Sequence, residues 1–195
     1  LKAEKRSMDV KAKRLRREGF VTGNLFGREI EGSIPLKFTK KEIEALLKNN
    51  NKGSQVMLEL DGKTYDALIK EVDYNPLAHT VEEVDFQALV SNEMVHSVAE
   101  IILENEEKVI SGVLQDELKE VAYKALPADL VDKIKVDVSG MKIGDTLRVK
   151  DLEIAQNKNI HITTDLEAVV ATVTPVHNVV PETETETEEV AAEEK

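Results

Sequence analysis

The chain has 195 residues, and its 26 lysines and arginines against 38 aspartates and glutamates give a formal net charge of −12. This acidic balance argues against a protein that coats nucleic acid without specificity. The absence of cysteine excludes disulfides, thiolate metal sites and cysteine nucleophiles, and is typical of a reducing compartment. No apolar run is long enough to cross a bilayer, so we expect a soluble cytoplasmic protein of one or two small domains.

The charge is distributed unevenly along the chain. Residues 1–28 carry nine lysines and arginines against three acids, whereas residues 182–195 carry seven glutamates against one lysine. Five of the cations lie within seven residues: Lys11, Lys13, Arg14, Arg16 and Arg17. One interpretation is a solvated helical face, but clustered like charges repel one another and gain nothing structurally. We therefore favour a local site for a polyanion, with RNA as the natural ligand.

The first half of the chain is predicted to form short strands joined by turns. A brief helix is expected over residues 10–18, and Thr39 with Glu42 forms a capping box that opens a second helix. Asp61 and Gly62 separate two alternating apolar runs and predict a two-residue hairpin turn. The expected strands are residues 20–26, 32–38, 56–60, 65–71 and 81–91. Together they indicate a small closed or partly closed β structure.

A second β-rich unit follows, and we place the boundary after residue 91. Residues 126–130 are expected to form a short helical turn. The expected strands are residues 94–103, 113–123, 134–138, 147–149, 160–163 and 168–175. From residue 179 the chain is repetitive and acidic, which cannot bury a core. The predicted organisation is residues 1–91, residues 92–178 and a disordered acidic tail, residues 179–195.

Several motifs, taken in their order along the chain, resemble one family. They are L-R-R-E-G-F-V-T-G-N-L-F-G at 15–27, A-L-I-K-E-V-D-Y-N-P at 67–76 with E-V-D-F at 83–86, A-L-P-A-D-L at 125–130, I-K-V-D-V-S at 134–139 and I-G-D-T-L at 143–147. The family is that of the bacterial large-subunit ribosomal proteins that bind 5S ribosomal RNA, whose longer members are called general stress protein CTC. The resemblance covers nearly everything before the tail.

The resemblance implies a mainly β fold. It implies an N-terminal six-stranded β-barrel with one helix, similar to the anticodon-binding barrel of glutaminyl-tRNA synthetase, followed by a β-rich C-terminal domain. The implied role is a structural constituent of the large ribosomal subunit in the cytoplasm, with 5S rRNA and neighbouring ribosomal proteins as partners. The residues predicted to contact the RNA, from the resemblance and the cation cluster, are Arg6, Lys11, Lys13, Arg14, Arg16, Arg17, Phe26, Lys70, Tyr74 and Asp85.

This chain departs from the family pattern at several positions. Thr22-Gly23 stands where the family usually has Pro-Gly or Pro-Ala, and Phe26 replaces a tyrosine, so the ring remains without its hydroxyl. The Phe26 ring is either a core residue or a stacking platform for a base. Asp73 replaces a glutamine and Glu83 a histidine. A carboxylate ~4 Å from a phosphate costs about 1 kcal/mol in water-like surroundings and about 4 kcal/mol at an effective dielectric of 20.

The carboxylates around Glu83 allow two further hypotheses. They suggest a diverged, stress-related paralogue that interacts with proteins and has weakened RNA binding. They also suggest a metal or acid–base site formed by Asp73, Glu82, Glu83 and Asp85 with His79. The spacing of these residues matches no metal motif, and their alternation with apolar residues is typical of a half-buried strand. Because no nucleophile has a suitable base, we expect no enzyme activity, cofactor, metal or small-molecule substrate.

Overall fold

The computed structural model of the protein describes residues 1–109 and 112–175. These residues form a closed barrel in the first half of the chain and two smaller sheets in the second half. The mainly β fold expected from the sequence is therefore confirmed. The predicted acidic tail, residues 179–195, lies outside the described residues.

The barrel contains six strands and carries two helices. The strands are β1 (Lys2–Lys5), β2 (Phe20–Phe26), β3 (Ser33–Thr39), β4 (Gln55–Leu60), β5 (Lys63–Asn75) and β6 (Thr80–Ala88). The helices are α1 (Ala12–Arg17) and α2 (Lys40–Leu47). The spatial order of the strands is β1-β3-β2-β6-β5-β4, and β1 closes the barrel by pairing with β4. The six-stranded barrel is confirmed, with α1 present in addition to the single helix that the resemblance implies.

Local sequence signals account for most elements of the barrel. The backbone N–H of Glu42 donates to Oγ1 of Thr39, and the backbone N–H of Thr39 donates to Oε2 of Glu42, which confirms the capping box. Asp61 and Gly62 have φ values of 50° and 78°, as a two-residue hairpin turn between β4 and β5 requires. Apolar residues alternate inward along β4, since Val56, Leu58 and Leu60 are buried.

Strand β1 was not predicted from the residue pattern. Only Ala3 among its four residues is buried, and its charged neighbours hide any alternation. Backbone pairing with β3 and β4, and not its own residue pattern, defines this strand. It pairs antiparallel with β3 and parallel with β4. Closure removes the unpaired strand edges that an open sheet would expose.

The second half of the chain forms two small sheets. The strands are β7 (Val95–Glu104), β8 (Val113–Asp116), β9 (Glu120–Ala125), β10 (Lys133–Asp137), β11 (Thr146–Arg148), β12 (His161–Ile162) and β13 (Val169–Thr174), with the helix α3 (Glu153–Gln156). One sheet has the order β10-β7-β9-β12 and the other the order β11-β13-β8. A 3₁₀ turn at Pro127–Asp129 confirms the predicted helical turn. The domain boundary after residue 91 stays a prediction.

The single strand predicted over residues 113–123 was wrong. β8 pairs with β13, whereas β9 pairs with β7 and β12, so the segment passes from one sheet to the other. The crossing occurs where the backbone N–H groups of Glu117 and Leu118 both donate to the carbonyl of Val170. Because β8 is only four residues long and lies close in sequence to β9, the residue pattern alone does not reveal that the two strands belong to different sheets. The short helix α3 was also not predicted.

The barrel and the second half of the chain meet around Gly53. Gly53 has a φ of +89°, and an added Cβ would lie 1.9 Å from the carbonyl oxygen of Val98 on β7. Polar contacts surround this close approach: Asn51 to Glu100, Ser54 to Asp132 and Lys70 to the carbonyl of His96. The contact therefore requires a residue without a side chain at position 53.

We expect Gly53→Ala to lower the free energy of unfolding more than Gly62→Ala. Both glycines have positive φ values, so each substitution costs about 1–2 kcal/mol of backbone strain. Only at position 53 does the new Cβ also meet a backbone oxygen, because nothing lies within 4 Å of the position at Gly62. Urea unfolding of the two variants measures the difference. Equal losses would contradict the close contact between Gly53 and Val98.

Candidate nucleic-acid interface

The cation cluster forms the short helix α1, which lies on the barrel next to β2. Leu15 is buried on the side of the helix that faces the barrel. Lys13, Arg14 and Arg17 are exposed on the other side. The helix ends before Gly19, whose φ of +90° turns the chain into β2. One buried leucine thus orients the helix so that three of the predicted RNA-binding cations face solvent.

Arg16 attaches α1 to β6. Its guanidinium lies 2.6 Å from Oε2 of Glu82, and about a third of each side chain is exposed. Asn75 donates its side-chain amide to the other oxygen of Glu82 at 2.7 Å. Arg16 therefore has a structural partner, and its charge is partly neutralised within the protein. Glu82 faces Arg16 and Asn75 and is not part of a group with the other carboxylates of β6.

The remaining cations of the cluster differ in whether they form ion pairs within the protein. Arg14 forms an exposed ion pair with Glu18 at 2.9 Å, a type of pair worth about 0.3–0.5 kcal/mol. Lys11, Lys13 and Arg17 take part in none of the salt bridges found within residues 1–109 and 112–175. A polyanion that binds these cations would therefore have to break few ion pairs within the protein.

Parallel pairing of β2 with β6 forms the polar surface beside α1. Inward residues of β2 such as Leu25 fill the core, so Asn24 and Phe26 point to the outer face. The backbone N–H of Asn24 donates to Oδ1 of Asp85 at 2.9 Å, and its side-chain amide reaches the same atom at 3.1 Å. The amide also donates to Oε1 of Glu83 at 3.3 Å. Asn24 therefore orients both carboxylates, a role that sequence reasoning missed.

Phe26 lies on this outer face and not in the buried core. It is half-buried, two residues from Asn24 along the same strand, and opposite Gln87 of β6 in the strand register. The buried cluster of the barrel contains Phe38 and Phe86 instead. Of the two interpretations of Phe26, core residue or stacking platform, the structure is compatible with the second.

Arg6 directly follows β1, in the segment that connects this strand to α1. Its guanidinium donates to the carbonyl of Val10 at 3.3 Å. Its Nε is buried, and no acceptor within the described part of the chain reaches it. The positive charges of Arg16 and Arg6 both act to lower the pKa of Glu83. The cations and the carboxylates of this surface therefore interact electrostatically.

Glu83 has a pKa above its usual value. Burial is the main cause, and the negative charges of Asp85 and Asp73 add to it. Arg16 and Arg6 act in the opposite direction without cancelling the shift. Asp73 lies directly opposite Glu83 in the register of β5 and β6. The two acidic departures from the family pattern are thus adjacent, and the site resists the accumulation of negative charge.

Two other predicted contact residues lie apart from α1. Lys70 donates its ammonium group to the carbonyl of His96 at 2.8 Å, in the contact between the barrel and β7. Burial lowers the pKa of Lys70, and the charge of Lys52 lowers it further. Tyr74 is 53% exposed, and its hydroxyl lies 3.2 Å from Nδ1 of His79 beside the turn between β5 and β6. The structure does not bring Lys70 or Tyr74 into hydrogen-bonding contact with α1.

The described residues contain no cluster of three or more histidine, aspartate or glutamate side chains that could hold a metal ion. They also contain no helix long and apolar enough to cross a membrane.

The known proteins compared with this chain below are large-subunit ribosomal proteins. The Ribosomal L25p family model matches residues 1–86, and the model of the C-terminal domain of ribosomal protein TL5 matches residues 94–177. The large ribosomal subunit protein bL25 of Carboxydothermus hydrogenoformans is 32% identical over 173 residues, covering 88% of this chain and 85% of the relative. The chain belongs to the ribosomal L25p family. The bL25 protein of Caldicellulosiruptor saccharolyticus is also 32% identical, over 175 residues that cover 89% of this chain and 84% of the relative.

Membership of the L25p family agrees with the architecture. The L25p match spans nearly all of the closed barrel, and the TL5 match spans both sheets of the second half. A bL25 protein from Akkermansia muciniphila is 32% identical over 170 residues, which cover 85% of this chain and 82% of the relative. The chain is thus a long member of the L25p family, in which a second matched region follows the barrel.

Proposed function

We propose that this L25p protein is a structural constituent of the large ribosomal subunit and binds 5S ribosomal RNA. The binding surface consists of α1 and the adjoining outer face of β2 and β6. The observation that carries the proposal is the orientation of α1, which is anchored by Leu15 and Arg16 and turns three cations to solvent. The names of the relatives, which are large-subunit proteins, support the ribosomal assignment.

Each part of this surface has a distinct role in the proposal. Lys13, Arg14 and Arg17 contact backbone phosphates, which position the RNA without reading its sequence. Phe26 offers a ring on which an unstacked base can lie. Asp85 is held by Asn24 through Oδ1, and its Oδ2 can accept a hydrogen bond from the amino group of a base. Most of the affinity therefore comes from phosphate contacts, with few contacts to base edges.

Binding of 5S rRNA should weaken steeply as salt rises. Each neutralised phosphate contributes about −0.7 to −0.9 to the slope of log affinity against log salt concentration. We expect the triple variant Lys13→Ala, Arg14→Ala, Arg17→Ala to bind more weakly and to lose about two to three units of slope, because three phosphate contacts disappear. Filter binding across a salt series measures both quantities.

A matched control removes the same charge elsewhere on the barrel. Lys2, Lys48 and Lys63 are exposed residues outside α1, on β1, after α2 and on β5. We expect their triple alanine variant to retain nearly the full slope. Absent or salt-insensitive binding by the unaltered chain, or equal losses in the two triple variants, would contradict the proposal.

A second candidate function is interaction with proteins by a diverged paralogue whose RNA affinity is weakened. The observation that favours it is the juxtaposition of Asp73 and Glu83 beside the cations. On this hypothesis the double substitution Asp73→Gln, Glu83→His raises the affinity for 5S rRNA, because two carboxylates near the phosphates are removed. The same filter-binding assay measures the change. Unchanged affinity would remove the main support for the second candidate.

A further inference from the structure

A cavity of about 360 Å³ opens between α1, the start of α2 and the beginning of β6. Four cations line it: Lys13, Arg16, Arg17 and Lys40. Glu82 is the one carboxylate among the lining residues, and it is already paired with Arg16. The cavity therefore has a strongly positive lining in a protein whose net charge is negative. Lys40 belongs to neither the cation cluster nor the family motifs.

The backbone holds the two helices around this cavity. The N–H of Lys40 donates to the carbonyl of Gly19 at 3.2 Å, which joins the start of α2 to the turn that follows α1. The Lys40 side chain is 42% exposed, and its ammonium lies 3.8 Å from Oε1 of Glu44, near the outer limit for an ion pair. Such exposed pairs within a helix contribute little. The ammonium of Lys40 thus remains available to an anion in the cavity.

The cavity also has an apolar side. The half-buried ring of Phe20 and the side chain of Val81 line it together with the cations. The ammonium of Lys37 lies 5.2 Å from the centroid of the Phe20 ring. A nucleotide combines the same two chemistries, because its phosphate is anionic and its base or ribose can pack against an aromatic ring.

We propose that this cavity, the α1–α2 pocket, binds one nucleotide of an RNA strand. The phosphate lies among Lys13, Arg17 and Lys40, and the base or ribose packs against Phe20. The inference rests on the proposed function and deepens it, since it extends the RNA interface from α1 to the start of α2. Lys40 becomes an RNA-binding residue that sequence reasoning did not identify.

Lys40→Ala and its neighbour Lys41→Ala provide a matched test. Both residues lie in the first turn of α2 and both substitutions remove one charge, but Lys41 is exposed and does not line the pocket. We expect Lys40→Ala to weaken binding of the full chain to 5S rRNA several-fold and to reduce the salt slope by about 0.7–0.9. Lys41→Ala should change neither quantity appreciably, and Lys40→Arg should retain binding. Thermal unfolding of the three variants verifies that each is folded.

The possible outcomes separate this inference from the proposed function. Equal binding by the Lys40→Ala and Lys41→Ala variants would overturn the pocket while leaving 5S rRNA binding intact. If adenosine monophosphate binds in a Lys40-dependent manner while RNA affinity does not depend on Lys40, the pocket holds a free nucleotide and the inference is wrong. If the unaltered chain does not bind 5S rRNA, the proposed function fails and the inference falls with it.

Discussion

Parallel pairing between β2 and β6 determines where the basic helix lies. The two strands approach so closely at Gly23 that an added Cβ would lie 2.0 Å from the carbonyl oxygen of Val84. Because α1 immediately precedes β2, the same pairing brings Arg16 to Glu82 and Asn24 to Asp85. The cations are thus positioned by backbone packing, and their mutual repulsion is overcome by the anchor that the barrel provides.

An acidic protein can present such a positive surface because dissolved salt screens the interaction between distant charges. At about 0.1 M ionic strength the Debye length is about 10 Å, so distant carboxylates contribute little at α1. The carboxylates that matter are the adjacent Asp73 and Glu83. Burial is the main cause of the raised pKa of Glu83, and the negative charges of Asp85 and Asp73 raise it further. RNA affinity is therefore expected to depend on the balance between α1 and these few acids, and the net charge of the whole chain is a poor guide to it.

Local signals in the sequence predicted much of the fold. The helix that ends at Gly19, the capping box at Thr39 and the turn at Asp61 all depend on neighbouring residues, and each was confirmed. Strand β1 was missed because its pairing, and not its own pattern, makes it a strand. The break between β8 and β9 was missed because it depends on which sheet each strand joins.

The candidate site was predictable to a lesser degree. The cations of α1 are contiguous in sequence, so their clustering was visible, but the hydrogen bonds of Asn24 depend on the parallel register of β2 and β6. Lys40 lines the same cavity as residues of α1, and the hydrogen bond from its backbone N–H to the carbonyl of Gly19 joins segments that are distant in sequence. The use of Lys70 in the contact with His96 follows from packing between the two halves of the chain. Each of these contacts depends on pairing between segments that are distant in sequence. Neighbouring residues in the sequence therefore do not reveal them.

Hydroxyl-radical footprinting of the full chain, with and without 5S rRNA, tests the proposed interface most directly. We predict that the RNA protects the side chains of α1 together with Phe20 and Phe26, while exposed side chains of the second half such as Ile143 and Leu166 react as before. Protection confined to the second half of the chain, with α1 as reactive in the complex as in the free protein, would contradict the account.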